Sequence, residues 1–215
     1  GAGVSVGAGV MTMLGAGVSD GSTAVDGSTI AALDVGDVDG NSRPPLANRQ
    51  VFNGILFVLR TGCQWKGLKK ECDGASSSLH ARFQAWSEAG LLKKVFRTMV
   101  RYYHAQQRIQ WKWQSIDSMM SASPLGGSKT GKNPTDRGKC GSKIHLLVDQ
   151  RGAPLAIWVT GANEHDKWSV DDLVIHLTTQ RPESKQHLCA DKGYDFEDVH
   201  EFVAQQGYIE HIKHR

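Results

Sequence analysis

The chain has 215 residues, 40% hydrophobic and 22% charged, the balance of a globular protein long enough for one or two cored domains. It has no apolar run of the roughly 18 to 20 residues that span a bilayer and no signal-peptide pattern at its start, so the expectation is a cytoplasmic protein with no membrane partner. The net charge is +3, yet residues 1–43 hold Asp20, Asp26, Asp34, Asp37 and Asp39 against Arg43 alone, so the remainder is basic and polyanions are candidate partners.

Residues 1–43 also hold ten of the 24 glycines, GAGV three times, DGST twice and no aromatic residue. Glycine loses more backbone entropy on ordering than any other residue, so this leader is expected to be disordered. From Pro44 the texture changes. In PPLANRQVFNGILFVLRTGCQW, Val51, Ile55, Val58 and Leu59 follow helical spacing, Phe52, Leu56 and Phe57 widen the apolar face, and Gly62 closes the helix. The serines of DGASSS read as N-caps of a second helix, with Leu79, Phe83 and Trp86 on one side and a stop at Gly90. A third follows at once, burying Leu91, Leu92, Val95, Phe96, Met99 and Val100 and leaving Lys93, Lys94, Arg97, Arg101 and Arg108 for solvent. These helices, over residues 44–108, read as a small helix-turn-helix-like domain, either DNA-binding or a bundle with a solvated basic face.

Beyond residue 109 the period shifts. IQWKWQSIDSMM, KIHLLVD (143–149) and PLAIWVTGA (154–162) read as strands, the last two a hairpin turning at QRG. DKWSVDDLVIHLTTQ reads as a helix, KQHLCADKG as a short strand, then come a helix from Phe196 to Gln206 and a strand in YIEHIK. The order is β-β-β-α-β-α-β, an α/β unit with a mixed sheet over 109–215. His145, Trp158 and Trp168 read as packing residues. Cys63, Cys72, Cys140 and Cys189 contain no C-x-x-C pair and read as reduced thiols; Cys63, Cys72, His80 and His104 fit no recognised zinc spacing.

Two acids need explaining. Asp117 lies near the end of the first strand, and Asp191 ends the fourth. If those strands lie side by side and parallel, both carboxylates emerge at one carboxyl edge, where α/β proteins place sites. Hard carboxylate oxygens there could hold two Mg²⁺ ions about 3.5–4 Å apart for phosphodiester chemistry. The alternative is that they cap turns, as Asp149 before QRG and Asp166 opening a helix are expected to do.

PLGGSKTGKN (124–133) nearly matches the G-x-x-x-x-G-K-[ST] phosphate loop, but Asn133 replaces the hydroxyl residue and Pro134 turns its predecessor away from helix, so no nucleotide cofactor is expected. The cations of this stretch and its continuation, Lys129, Lys132, Arg137, Lys139 and Lys143 against Asp136, are candidates for DNA-phosphate contacts; the alternative is a solvated loop.

RQVFNGILFVLRTGCQWKGL, SIDSMM, PLGGSKTGKNPTDRGK, GSKIHLLVDQRGAPLAIWVTGANEHD and LCADKGYDF, in this order, resemble the DDE transposases of bacterial insertion sequences, of the insertion-sequence-five type, over residues 43–215. The resemblance implies a partial ribonuclease-H-like sheet behind a small all-α DNA-binding domain, with the first and fourth strands adjacent and parallel. It implies that Asp117 and Asp191 are the first two catalytic carboxylates, each ligating Mg²⁺ or Mn²⁺. It also implies double-stranded DNA as partner, at transposon ends and target, with a possible homo-oligomer. The family's third acid, a glutamate in a tyrosine–arginine–glutamate–lysine signature, has no match: Glu197, Glu201 and Glu210 all depart from it. The expectation is therefore a transposase chain, C-terminally incomplete and inactive alone, which a further polypeptide could complete. The alternative is a non-catalytic fragment that occupies transposon ends or interferes with full-length enzyme.

Overall fold

The computed structural model describes residues 46–69 and 74–214. The leader, residues 1–43, and Cys72 lie outside them. Contacts divide the chain into two compact units, the division falling between Phe96 and Arg97.

The N-terminal unit is helical: α1 (Asn48–Thr61), α2 (Ser76–Glu88) and the start of α3 (Leu91–Ala105). Gly62, at φ +68°, ends α1 by turning left-handed and donating its N–H to Val58 O, a conformation a side chain would strain. The N-cap of α2 is Ala75, without a side-chain cap, so the serines expected to cap it lie inside its first turn. Val51, Ile55, Trp86 and Leu91 form one core cluster, with Phe52 and Phe83 packed on it; Val58, Leu68 and Leu79 form a second. Full burial of each such side chain is worth roughly 1.5–3 kcal/mol. On α3, Lys93, Lys94, Arg97 and Arg101 are exposed, as the periodicity predicts.

The second unit is an α/β layer built on β1 (Trp113–Ala122), β3 (Cys140–Asp149), β4 (Pro154–Gly161), β5 (Gln186–Ala190) and β6 (Tyr208–Ile212), plus a two-residue β2 (Gly131–Lys132) that the sequence pattern did not suggest. β1 lies between β3, antiparallel to it, and β5, parallel to it; β6 is parallel to β5, and β2 and β4 both pair with β3. Leaving β2 aside, the spatial order third–second–first–fourth–fifth with only the second strand reversed is the ribonuclease-H-like arrangement. Helices α4 (Ser169–Ile175) and α5 (Glu197–Gln205) bury Val170, Leu173 and Val174, and Val199 and Val203, respectively.

Two polar devices hold this frame. Asp149 caps the β3–β4 turn as expected, Oδ1 accepting from Arg151 N and Ala153 N at 2.9 and 2.8 Å, while Oδ2 accepts from Gln110 N at 2.8 Å. Across the sheet, buried Gln114 donates from Nε2 to Gln186 Oε1 at 2.7 Å and accepts at Oε1 from the Tyr208 hydroxyl at 2.9 Å. A one-residue slip would point these amides to the opposite face and leave them unpaired, so the clamp fixes the register of β1, β5 and β6. Among the described residues no helix is long and apolar enough to cross a membrane.

Candidate active site

That register brings the two acids together. β1 and β5 pair as Trp113 with His187, Gln114 with Leu188 and Ser115 with Cys189. Extended by two residues, that register sets Asp117 level with Asp191 and on the same face, since side chains alternate with period two and adjacent strands run about 4.8 Å apart. Asp191 lies just past the end of β5, but Asp117 is in the middle of β1 rather than near its end, because the strand continues to Ala122 along β3. Both are exposed. Asp117 Oδ1 accepts from Ser118 N at 2.8 Å. Asp191 leaves the strand at φ −76°, ψ 175° and opens a 3-10 turn (Lys192–Tyr194), its Oδ1 accepting from Gly193 N at 2.8 Å. Gly193 is required by close approach: a Cβ there would stand 2.8 Å from that oxygen.

Among the described residues neither carboxylate is in an ion pair, so both present hard anionic oxygens without a cation, a donor set that suits a divalent ion. Tyr194, in the turn after Asp191, is 2% exposed. Burial first, then the negative charges of Asp166, Asp117 and Asp191, hold its ionisation well above the usual tyrosine range.

On the other face of the sheet lies a buried network. Lys143, on β3, donates from Nζ to Glu164 O at 2.7 Å and to Asp166 Oδ2 at 3.3 Å. His145, fully buried, meets Thr160 Oγ1 at 2.9 Å through Nε2 and Ser169 Oγ at 2.8 Å through Nδ1. Burial lowers its proton affinity, with the Asp166 charge opposing. Asp166 therefore does not cap a helix; His165 caps the 3-10 turn (Asp166–Trp168), and Asp166 serves Lys143.

The candidate phosphate cations separate by exposure. Lys129, Lys132, Arg137 and Lys139 are exposed; Lys129 Nζ stands 5.6 Å from the Trp158 ring centroid and Lys139 pairs with Asp136 at 3.1 Å. Lys143 has a side chain only 6% exposed and an ammonium already committed, so it is a framework residue rather than a surface cation. Its signal was legible: KIHLLVD puts Lys143, His145 and Leu147 on one face of a strand apolar on the other. Trp168 differs as well, at 64% exposure with Lys167 Nζ 4.4 Å from its ring, whereas His145 packs as expected. The near-match at Gly131–Lys132 is strand, bonded to β3 and followed by turns, so its backbone N–H groups do not open a helix as a phosphate loop requires. The carboxylates needed only the apolar residues before them to be noticed; Tyr194 and the Gln114 clamp have no signal in the linear pattern.

The first and fourth strands of a ribonuclease-H-like sheet are adjacent and parallel here, with Asp117 in the middle of the first and Asp191 just past the end of the fourth, and this sets the fold class. Within it, the chain belongs to the DDE-domain transposases: the model described as "Transposase DDE domain" matches residues 98–215, just over half the chain, and that of "Putative transposase of IS4/5 family" matches residues 32–96. In Burkholderia cepacia, an insertion element IS402 uncharacterized 16.2 kDa protein is 30% identical over 93 residues, covering 43% of this chain and 63% of that protein. A second, "Putative transposase for insertion sequence element IS402", is 41% identical over 81 residues, covering 34% and 37%. The chain thus spans less than two thirds of either relative. Among solved structures, a Mos1 transposase paired-end complex with left transposon end aligns at TM-score 0.33 and 12% identity, over 93% of this chain and 70% of that one. A piggyBac transposase synaptic complex with hairpin DNA aligns at 0.41 and 11%, over 86% and 45%. Membership of the family rests on the two family models.

Proposed function

We propose that this chain acts in DNA transposition, with Asp117 and Asp191 as two ligands of a Mg²⁺ or Mn²⁺ centre that cuts and joins phosphodiester bonds. The observation carrying this reading is the shared level and face of two exposed, unpaired carboxylates on adjacent parallel strands. When bound, the metal supplies Lewis acidity at the phosphodiester and acidifies the attacking water or 3′ hydroxyl. The chain's own groups do the rest. Ser118 N and Gly193 N hold one oxygen of each carboxylate and leave the other for metal. Tyr194, buried under the turn after Asp191, keeps water from beneath it. Lys129, Lys132, Arg137 and Lys139 meet the backbone of double-stranded DNA, positioning it without reading sequence. The helical domain over 44–108 adds contacts through the basic side of α3, and residues 109–215 form the catalytic domain.

Titration with Mn²⁺, followed by electron paramagnetic resonance, tests the centre: Asp117→Asn and Asp191→Asn should each weaken binding by at least ~10-fold. Equal affinity in both variants and the unsubstituted chain would sink the assignment. Salt-dependent duplex binding that survives both substitutions, without metal binding in any form, favours instead the role of a non-catalytic DNA-end occupant, for which the exposed Lys93, Lys94, Arg97 and Arg101 speak.

A further inference from the structure

We propose that Asp195, His200 and His214 form a second metal site, for a transition metal of the zinc class, on the far side of the sheet from Asp117 and Asp191. The three come from different elements: Asp195 follows the Lys192–Tyr194 turn, His200 is on α5, and His214 follows β6. Their ligand atoms all lie within 4.8 Å of one another. Asp195 Oδ1 stands 2.9 Å from His200 Nε2 and 3.2 Å from His214 Nδ1. Donor atoms bound tetrahedrally at about 2.1 Å lie roughly 3.4 Å apart, so the two Asp195 distances need to open by only a few tenths of an ångström, with the two imidazole nitrogens drawn to the same spacing, to admit an ion.

The donor chemistry selects the metal. Two imidazoles and one carboxylate suit Zn²⁺, Co²⁺ or Ni²⁺, whereas the all-oxygen pair Asp117 and Asp191 suits Mg²⁺ or Mn²⁺. The cluster also carries an outer carboxylate: Glu210, on β6, approaches His200 Nδ1 at 2.7 Å through Oε2. Without metal, Nε2–H donates to Asp195; a bound ion would displace that proton while Nδ1–H stays shared with Glu210, the tautomer that a metal-bound histidine adopts. His214 is 82% exposed, so an ion has an entry path and a position open to water.

The site is separate from the first. Glu210 pairs with Leu188, which pairs with Gln114, and Gln114 is three residues from Asp117, so Glu210 and Asp117 point to opposite faces. Occupied, it would tie the turn that follows Asp191 to α5 and to the exit of β6, stiffening the backbone that presents the second carboxylate.

The test is a Co²⁺ absorption titration of the full chain at pH 7.5, in the Asp117→Ala/Asp191→Ala background. Expected are ligand-field bands of nitrogen and oxygen coordination saturating at one ion per chain. His200→Ala and His214→Ala should each weaken binding by at least ~10-fold, and Glu210→Gln by about 10-fold. Because His214 is exposed, its variant keeps the reading testable where His200→Ala unfolds. The proposal is overturned by no bands, by thiolate charge-transfer bands reporting cysteine ligation, by unchanged affinity in His214→Ala, or by loss of binding in His187→Ala, whose Nδ1 lies 2.8 Å from His211 Nε2 and offers a rival imidazole pair.

Discussion

Lys143 is where a framework role and a DNA-binding role make opposite forecasts. Lys143→Met keeps the aliphatic stem and removes the ammonium. It deletes the 2.7 Å bond to Glu164 O and the 3.3 Å contact with Asp166 Oδ2, leaving an acid whose Oδ1 is already buried without a hydrogen bond, 3.7 Å from His145 Nδ1. A hydrogen bond from a charged donor contributes about 1.5–3 kcal/mol, and breaking a buried ion pair costs about 3–5 kcal/mol. Asp166 is 27% exposed, so solvent screens part of the second figure. The expected loss is about 2–4 kcal/mol of unfolding free energy, read by urea denaturation followed by fluorescence and far-ultraviolet circular dichroism. Lys132→Met, at an exposed position, should change stability by less than about 0.5 kcal/mol. In the double-mutant cycle, Asp166→Asn should recover part of the loss. A Lys143→Met variant as stable as Lys132→Met refutes the framework role and returns Lys143 to the phosphate-contacting set.

Three further outcomes follow from other parts of the molecule. His145 is held neutral by burial, whereas the unfolded chain takes up a proton near 6.5, so its contribution to stability is full above pH 6.5 and is lost as pH falls toward its lowered folded value. His200, raised chiefly by its hydrogen bond to Asp195, acts in the opposite sense, losing its contribution as pH rises through the folded value; His145→Asn should therefore flatten the acid-side loss in denaturation curves between pH 5 and 7, and an unchanged curve counts against the assignment. Gly193→Ala should leave the unfolding midpoint almost unmoved yet weaken Mn²⁺ binding, because the added Cβ, 2.8 Å from Asp191 Oδ1, displaces the carboxylate; a variant with native affinity contradicts this. Replacing Lys132, Arg137 and Lys139 by Ala should lower the slope of log affinity for duplex DNA against log salt by up to ~0.9 for each phosphate no longer neutralised, and an identical slope removes the loop from the interface.

Helices α1 and α3, the hairpin β3–β4 and the position of Asp191 at the end of β5 were legible because each is written in a local pattern: 3.6-residue spacing, alternation around a turn, an acid after an apolar run. Asp117 was misplaced, because the SMMSA that follows it hides the continuation of β1 to Ala122. The motifs carried the family, and with it the expectation that the first and fourth strands are neighbours. β2 was not legible, because two residues define no period; Gly131 and Lys132 become a strand only by bonding to Gly141 and Cys140. The N-cap of α2 was misplaced for a related reason: three consecutive serines offer equivalent local caps, and chain entry through Ala75 selects none of them.

By itself the sequence determined most of the elements that form, which side chains carry charge, and that Asp117 and Asp191 each follow an apolar strand segment. Only the tertiary structure decided what those charges do. Lys139 and Lys143 are four residues apart in one basic stretch, yet the first is exposed beside Asp136 and the second is buried against Asp166. Asp117 and Asp191 are 74 positions apart in the chain, and the buried Gln114–Gln186–Tyr208 clamp brings them level by fixing the strand register. The physical reason is the same in both cases: the free energy of a charged group depends on its solvent exposure and nearest polar partners, and contacts remote in sequence set both.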